Sequence, residues 1–277
     1  TAKSGTKLGI KNGIRIVFVP RKSKMDLIYN RVRSVNDAIY NERVDIIYLL
    51  GYVSSCFINW QSLKKHKVKL VLNPDGLEWM RSKYNFVIKK FLSLSERVGI
   101  SFADSIIVDS QQMGMYIKQK YGKDFVFIPY GCDFEVNFDN LELKRFGVEE
   151  KSYYIVVGRC VPENNLLEIV KGFSSTNINK KLLIITTLSQ DEYSELLKKQ
   201  CEKDSRIILF GPIYEKKLLY QLRLRAFGYI HGHSVGGTNP SLVEAMGCGN
   251  IVIAHKNRFN IEVLGDELGF FFSSPEE

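Results

Sequence analysis

The sequence predicts an α/β protein of two doubly wound parallel-sheet domains facing a cleft, and three observations predict it. Short β-branched and aromatic runs recur along all 277 residues, each followed by a helix-length segment. Several of those runs are continuously apolar rather than alternating, as strands covered on both faces are. The strand segments also outnumber what one sheet comfortably holds, and a chain of this length accommodates two domains.

Taken in order, the strand candidates of the first half are 14–19 (IRIVFV), 45–50 (DIIYLL), 68–73 (VKLVLN), 105–110 (SIIVDS) and 125–130 (FVFIPY). Between the third and fourth, residues 83–103 predict a helix with Phe91, Leu94, Val98 and Phe102 on one stripe. Residues 139–152 (DNLELKRFGVEEKS) predict a charged helix that ends at Gly147, then a polar linker. The domain boundary is placed there, giving an N-terminal domain over 1–147 and a C-terminal domain over 148–277. The second half continues with strands at 153–158 (YYIVVG), 181–186 (KLLIIT), 206–211 (RIILFG), 228–232 (GYIHG), 250–255 (NIVIAH) and 269–272 (GFFF). Strand alternating with helix throughout implies parallel sheets with crossover helices. Ligands of such sheets sit beyond the carboxyl ends of the strands.

Composition excludes several classes of function. No apolar run approaches the ~18 residues needed to cross a bilayer, and the opening TAKSGTKLGIKNG has no apolar core of a signal peptide. With no initiator Met, the chain reads as a piece of a longer protein. The five cysteines lie far apart with no CxxC pair, which speaks against a disulfide framework or zinc cluster and for a reducing compartment. No HExxH and no Asp-x-Asp occurs, so no metal site is expected. The formal charge of +9 is uneven: residues 1–147 carry 24 Lys and Arg against 14 Asp and Glu, the remainder 15 against 16. The first half therefore faces something anionic.

Three stretches carry chemistry. In Gly236–Gly249 (GGTNPSLVEAMGCG), Asn239 before Pro240 signals a helix start, with Asn as N-cap and Pro at the first helical position. Gly236 and Gly237 precede that start, where backbone amides and the helix dipole favour an anion. Glu244, one turn in, is suited to accept hydrogen bonds from sugar hydroxyls. The plain alternative is a tight turn with a solvated glutamate. In 155–165 (IVVGRCVPENN) a buried strand ends in Gly158, and Arg159 emerges with the forked, permanent charge that suits a diphosphate. Its alternative is a surface ion pair. In 70–84 (LVLNPDGLEWMRSKY), Asp75 and Glu78 stand where a carboxylate orients or deprotonates an acceptor hydroxyl. Their alternative is a turn and a helix start. His231 and His233 lie at the strand end before the glycines, in reach of a sugar or phosphate, or as structural histidines.

Together, VGRCVPENN, VGGTNPSLVEAMGCG and IPYGCD (128–133) resemble retaining glycosyltransferases of family 4, over nearly the whole chain. The resemblance implies the GT-B fold, two Rossmann-like domains with a nucleotide-sugar between them, here with an incomplete N-terminal domain. It implies that Arg159 neutralises the diphosphate leaving group, aided by the amides around Gly236, Gly237 and Thr238, and that Glu244 holds the nucleotide ribose. Two positions depart from the family: Gly236 replaces its first glutamate, and Asn164 its basic residue after Pro-Glu. Asp75 lies where the family often has a histidine.

The segments around VNPDGLEW, PENN and GGTNPSLVEAM further resemble a bacterial subgroup of capsule and surface-polysaccharide rhamnosyltransferases. That implies a dTDP or UDP sugar as donor, dTDP-rhamnose among them, and a lipid-linked saccharide or polysaccharide as acceptor. No cofactor and no nucleic-acid partner is expected. The basic residues Lys64, Lys65, Lys67, Lys69, Arg81, Lys83, Lys89, Lys90 and Arg97 suggest an anionic membrane surface. The expected location is cytoplasmic, peripheral on the inner face of the plasma membrane. A non-catalytic nucleotide-sugar-binding subunit and a nucleotide-sugar epimerase on the same fold are the competing readings.

Overall fold

The structure is a computed structural model and describes residues 7–18, 26–133, 143–265 and 267–277. It divides into two compact units. The first comprises 1–75, 86–107 and 117–126; the second comprises 76–85, 108–116 and 127–277.

In the first unit, β1 (Lys7–Lys11) and β2 (Ile14–Phe18) form an antiparallel hairpin of their own. Asn12 and Gly13 turn it with φ of 52° and 76°, as the tight hairpin loop requires. The 14–19 run is thus no strand of a parallel sheet, and its Val19 lies outside the described residues. After α1 (Asp26–Asp37) and a π-helical turn over Ala38–Glu42 come β3 (Ile46–Leu50), α2 (Trp60–Lys65), β4 (Lys69–Asn73), α3 (Phe86–Phe102), β5 (Ser105–Val108), α4 (Gln111–Tyr121) and the two-residue β6 (Val126–Phe127), of which Val108, Gln111–Tyr116 and Phe127 are counted in the second unit. The sheet order is β3-β4-β5-β6, with β3, β4 and β5 parallel.

Two expectations are corrected here. β3 is covered on one face only, since Ile47 and Leu49 are buried while Ile46, Tyr48 and Leu50 are exposed. In α3 the buried side is Leu92, Ser95, Glu96, Gly99 and Ile100, whereas Leu94 and Phe102 are exposed. Small residues turn inward because the backbone comes close: a Cβ on Gly99 would stand 2.6 Å from Ser55 Oγ. The buried Glu96 is held by Lys120 Nζ at 3.0 Å and by the Tyr121 hydroxyl.

In the second unit, residues 139–142 of the expected charged helix lie outside the described residues, and 143–146 form a single 3-10 turn. Then follow β7 (Tyr153–Val157), α5 (Leu166–Ser175), β8 (Lys181–Ile185), α6 (Glu192–Cys201), β9 (Ile207–Phe210), α7 (Lys216–Arg225), β10 (Gly228–His231), α8 (Pro240–Gly247), β11 (Ile251–His255), α9 (Arg258–Leu264) and β12 (Gly269–Phe272). All six strands are parallel, in the order β12-β11-β10-β7-β8-β9. Alternate residues feed two cores, Tyr153, Ile155, Leu183 and Ile185 on one face and Val156, Leu182 and Ile184 on the other. That double burial is why these strands read as unbroken apolar runs.

The strand order reverses between β7 and β10. Successive crossovers run one way from β7 and the other way from β10, so their helices diverge and leave a crevice at the carboxyl ends of that pair.

Candidate functional site

The crevice at the β7/β10 switch point is a cleft of about 400 Å³. Its walls include Gly158, Arg159 and Asn164 after β7, Thr186 and Thr187 after β8, Pro212 and Ile213 after β9, His231 to His233 after β10, Asn239 to Ser241 and Glu244 at the start of α8, and Arg223 from α7.

Each group is placed by local structure. Arg159 lies two residues beyond the end of β7, is exposed, and has no ion-pair partner among the described residues. Pro162–Asn164 make a 3-10 turn, and Asn165 adopts a left-handed conformation (φ 49°), so α5 begins at Leu166 rather than at Pro162. That turn swings Asn164 inward, where its amide is used at both ends: Nδ2 donates to Arg159 O at 2.8 Å, and Oδ1 lies 2.8 Å from His233 Nδ1. Asn164 therefore aligns Arg159 and His233 rather than supplying a cation.

At α8 the Asn239 side chain accepts from the Ser241 amide at 3.0 Å and Pro240 sits at the first position, the cap the sequence predicts. The cap has a consequence for anion binding. Pro240 has no N–H, Ser241 is taken by Asn239 Oδ1, and the amides of Leu242 and Val243 reach the Asn239 carbonyl. The helix start contributes its dipole, and the forked charge of Arg159 is the stronger anion-facing group.

Gly236, Gly237 and Thr238 form the loop that leads to this cap and are not among the walls of the cleft. Gly236 has φ 103°, and a Cβ on Gly76 would stand 3.0 Å from its Cα. A Cβ on Gly237 would meet Asp109 Oδ1 at 2.8 Å, and Thr238 Oγ1 donates to Asp109 O at 2.8 Å. Glycine is required at Gly236 by its positive φ and at Gly237 by the close approach of the Asp109 carboxylate.

His231 and His233 are neutral near pH 7. Burial pushes His231 down to about 3, with the charges of His233, His255 and Arg223 adding to it. Burial likewise takes His233 down to about 4, helped by Arg81 and by Arg159, against a backbone hydrogen bond at Val235. Glu163 is pushed up by burial, yet its own backbone, the amide and hydroxyl of Ser82 (3.1 and 3.0 Å) and the charge of Arg81 hold it below the ordinary carboxylate range. Arg81 thus lies near enough for its charge to act on both Glu163 and His233 within the second unit.

The remaining carboxylates behave differently from one another. Glu78 is engaged by Arg81 Nε at 2.5 Å, Lys83 Nζ at 3.2 Å and the Tyr84 hydroxyl at 2.7 Å, an arrangement that suits holding Arg81 in place rather than taking a proton. Asp75 belongs to the first unit; it is exposed, left-handed (φ 63°), and its amide donates to Asn73 Oδ1. Glu244 is not a solvated glutamate: its Oε2 pairs with Arg223 Nη1 at 2.9 Å.

The cleft thus brings Arg159, Asn164, His233, Asn239 and Glu244 together, and it adds Arg223, Thr186 and Ile213, which motif reading does not find. Arg223 sits in QLRLRA, where a basic run reads as a solvated helix face. The usable signal was its spacing, one helical turn after Leu219 and beside the buried Leu222. Among the described residues no group of three His, Cys, Asp or Glu is placed to hold a metal ion, and no helix is long and apolar enough to cross a membrane.

The family described as glycosyl transferases group 1 matches residues 139–277, and a domain of unknown function, DUF1972, matches residues 19–133. No curated protein matches the chain by sequence. Among solved structures, the fold is similar to sucrose-phosphate synthase from Thermosynechococcus elongatus, with 14% identity, 99% of this chain and 73% of that one covered, and a TM-score of 0.79. It is similar to Anabaena HepE in complex with UDP, with 16% identity, 91% and 70% covered, and a TM-score of 0.71. It is also similar to a UDP-forming trehalose-phosphate synthase from Burkholderia vietnamiensis, with 10% identity, 99% and 80% covered, and a TM-score of 0.69. These likenesses show a GT-B α/β fold.

Proposed function

The chain belongs to the glycosyl transferases group 1 family, and from that premise we propose that it transfers a sugar from a nucleoside diphosphate bound in the β7/β10 cleft. The observation that carries this is Arg159, an exposed guanidinium at the switch-point crevice of a parallel sheet, with no ion-pair partner among the described residues. Such a group matches two adjacent phosphates, and Anabaena HepE, one of the structural relatives, is described in complex with UDP and with UDP-glucose.

Breaking a glycosyl–phosphate bond builds negative charge on the departing oxygen. A forked cation already in place there, near a helix start, is worth several kcal/mol because nothing need reorganise during the reaction. In this account Arg159 takes the diphosphate, Glu244 accepts from the ribose hydroxyls, and His233, neutral and aligned by Asn164, faces the sugar. The donor is a UDP or dTDP sugar, dTDP-rhamnose among the candidates, and no cofactor or metal takes part. The mechanism retains anomeric configuration. Asp75 is the carboxylate assigned to the acceptor, and Glu78 holds Arg81. The acceptor is a lipid-linked saccharide of surface-polysaccharide synthesis. The lysines of the first half then meet an anionic membrane surface on its cytoplasmic face.

A second reading, a nucleotide-sugar-binding subunit without turnover, draws on Gly236 and Asn164, which stand where family 4 has an acid and a base. Thermal-shift screening of the intact chain against UDP, dTDP and GDP sugars, then transfer assays with lipid-linked acceptors, tests both. Stabilisation by one donor with transfer supports the first reading, and stabilisation without transfer across a broad acceptor panel supports the second. No stabilisation by any nucleotide sugar overturns both.

A further inference from the structure

Arg223 heads the fully buried side chains by size, and it is buried in the wall of the donor cleft. A guanidinium taken out of water costs several kcal/mol unless its partners are well placed. Here they are specific. Nη1 meets Glu244 Oε2 at 2.9 Å, and Nη2 donates to Ser241 Oγ at 2.9 Å. The charge lies 5.8 Å from the centre of the Tyr229 ring. Ser241 Oγ is 2.7 Å from the Tyr229 hydroxyl and 3.3 Å from Val157 O. The backbone that carries Arg223 is fixed as well, since its carbonyl accepts from the Ala226 amide and from Asn250 Nδ2.

The chain of contacts therefore runs from Glu244 through Arg223 and Ser241 to the end of β7, two residues before Arg159. It ties the carboxylate at α8 to the same strand end that presents the cation. Glu244 itself keeps about a quarter of its side chain exposed in the cleft, and its ion pair uses Oε2.

We propose that Arg223 is a positioning residue: it holds Glu244 in one orientation, so that the carboxylate meets the hydroxyls of the bound nucleoside. The assignment rests on the proposal that this cleft binds a nucleoside diphosphate. Arg223 pairs with an acid and, among the described residues, Arg159 does not, so the two guanidiniums divide the work, one serving the nucleoside end through Glu244 and the other the phosphates.

The test uses the whole chain and calorimetric titration with UDP, dTDP and inorganic pyrophosphate, for wild type, Arg223→Met, Glu244→Gln and the double variant, with thermal midpoints recorded alongside. Arg223→Met is expected to weaken the preferred nucleoside diphosphate at least tenfold while pyrophosphate affinity stays within about twofold. The double variant is expected to bind no more weakly than Glu244→Gln alone, because both substitutions remove one device. Nucleotide affinity unchanged in Arg223→Met, or additive losses in the double variant, would overturn the assignment. So would an equal loss for pyrophosphate, which marks a general structural role. If Arg223→Met gives no cooperative melt, Arg223→Lys replaces it. One ammonium cannot serve Glu244 and Ser241 in the same geometry, so a threefold to tenfold loss confined to the nucleotide supports the role, and wild-type affinity refutes it. Should wild type bind neither UDP nor dTDP, the functional reading itself falls; binding by wild type with an insensitive Arg223 variant removes only the positioning role.

Discussion

Gly232→Ala puts one methyl group at the point where the two halves of the second sheet meet. Gly232 follows β10, and a Cβ there would collide with the carbonyl oxygen of Asn164, stand 3.0 Å from that carbonyl carbon and reach Ile169 Cδ1 at 2.8 Å. The oxygen and carbon are backbone, so no rotamer change relieves the clash; the 162–165 turn has to move. Inserting one methyl group into packed structure costs about 1–3 kcal/mol. The displaced turn also carries Asn164 Nδ2 to Arg159 O, Asn164 Oδ1 to His233 and Asn165 Nδ2 to Gly232 O. Each such bond is worth about 1 kcal/mol. Losing one of the three brings the expected destabilisation to about 3 kcal/mol. Urea unfolding followed by circular dichroism measures it, as a fall of about 1 M or more in the midpoint at an m-value of about 2–3 kcal/mol/M. Nucleotide affinity should drop in parallel, because Arg159 and His233 are both aligned from Asn164. A loss below 1 kcal/mol with unchanged nucleotide affinity would refute the view that this contact sets the cleft.

Three further outcomes follow from the same geometry. Arg159→Ala should lower nucleoside-diphosphate affinity tenfold or more, the value of a charged hydrogen bond of about 1.5–3 kcal/mol. It should leave the melting midpoint almost unmoved, since the residue is exposed; calorimetry and thermal melts read the two effects. Glu244→Ala should remove donor binding and also destabilise by about 3 kcal/mol in urea titrations, because a buried guanidinium loses its partner. Stability should fall as pH drops from about 6.5 toward 4. His231 and His233 titrate near 3 and 4 when folded and near 6.5 when unfolded, so in that window the unfolded chain binds more protons. At 1.36 kcal/mol per pH unit, the His233 contribution alone approaches about 3 kcal/mol, and His233→Asn should flatten the dependence in urea melts run at each pH.

Much of the second unit was legible because its central strands β7, β8 and β10 are buried on both faces and announce themselves as apolar runs, each followed by a helix. Asn239-Pro240 predicted the start of α8 to the residue, and Gly158-Arg159 marked the end of β7, which stops one residue earlier at Val157. The first unit was less legible for physical reasons. The Asn12-Gly13 pair specifies a hairpin, a local turn signal that outweighs the strand-then-helix rhythm of the rest. In α3 the most apolar stripe does not mark the core side, because close backbone approach selects Gly99 and Ser95 there. At the cleft, spacing cannot say which side chains are already engaged. Glu78 looked available and is held by Arg81, Lys83 and Tyr84; Asn164 looked like a phosphate contact and is spent on Arg159 and His233. Arg223 was hidden for the opposite reason: its charge reads as surface, while its place on α7 is interior.

The claim on which the account turns is that a diphosphate lies at the switch point between β7 and β10, against Arg159. A crystal structure of the intact chain with its preferred nucleoside diphosphate tests it most directly. Both phosphates are expected within hydrogen-bonding distance of the Arg159 guanidinium, with ribose hydroxyls on Glu244. Density for the nucleotide elsewhere, or phosphates that leave Arg159 untouched, would contradict it.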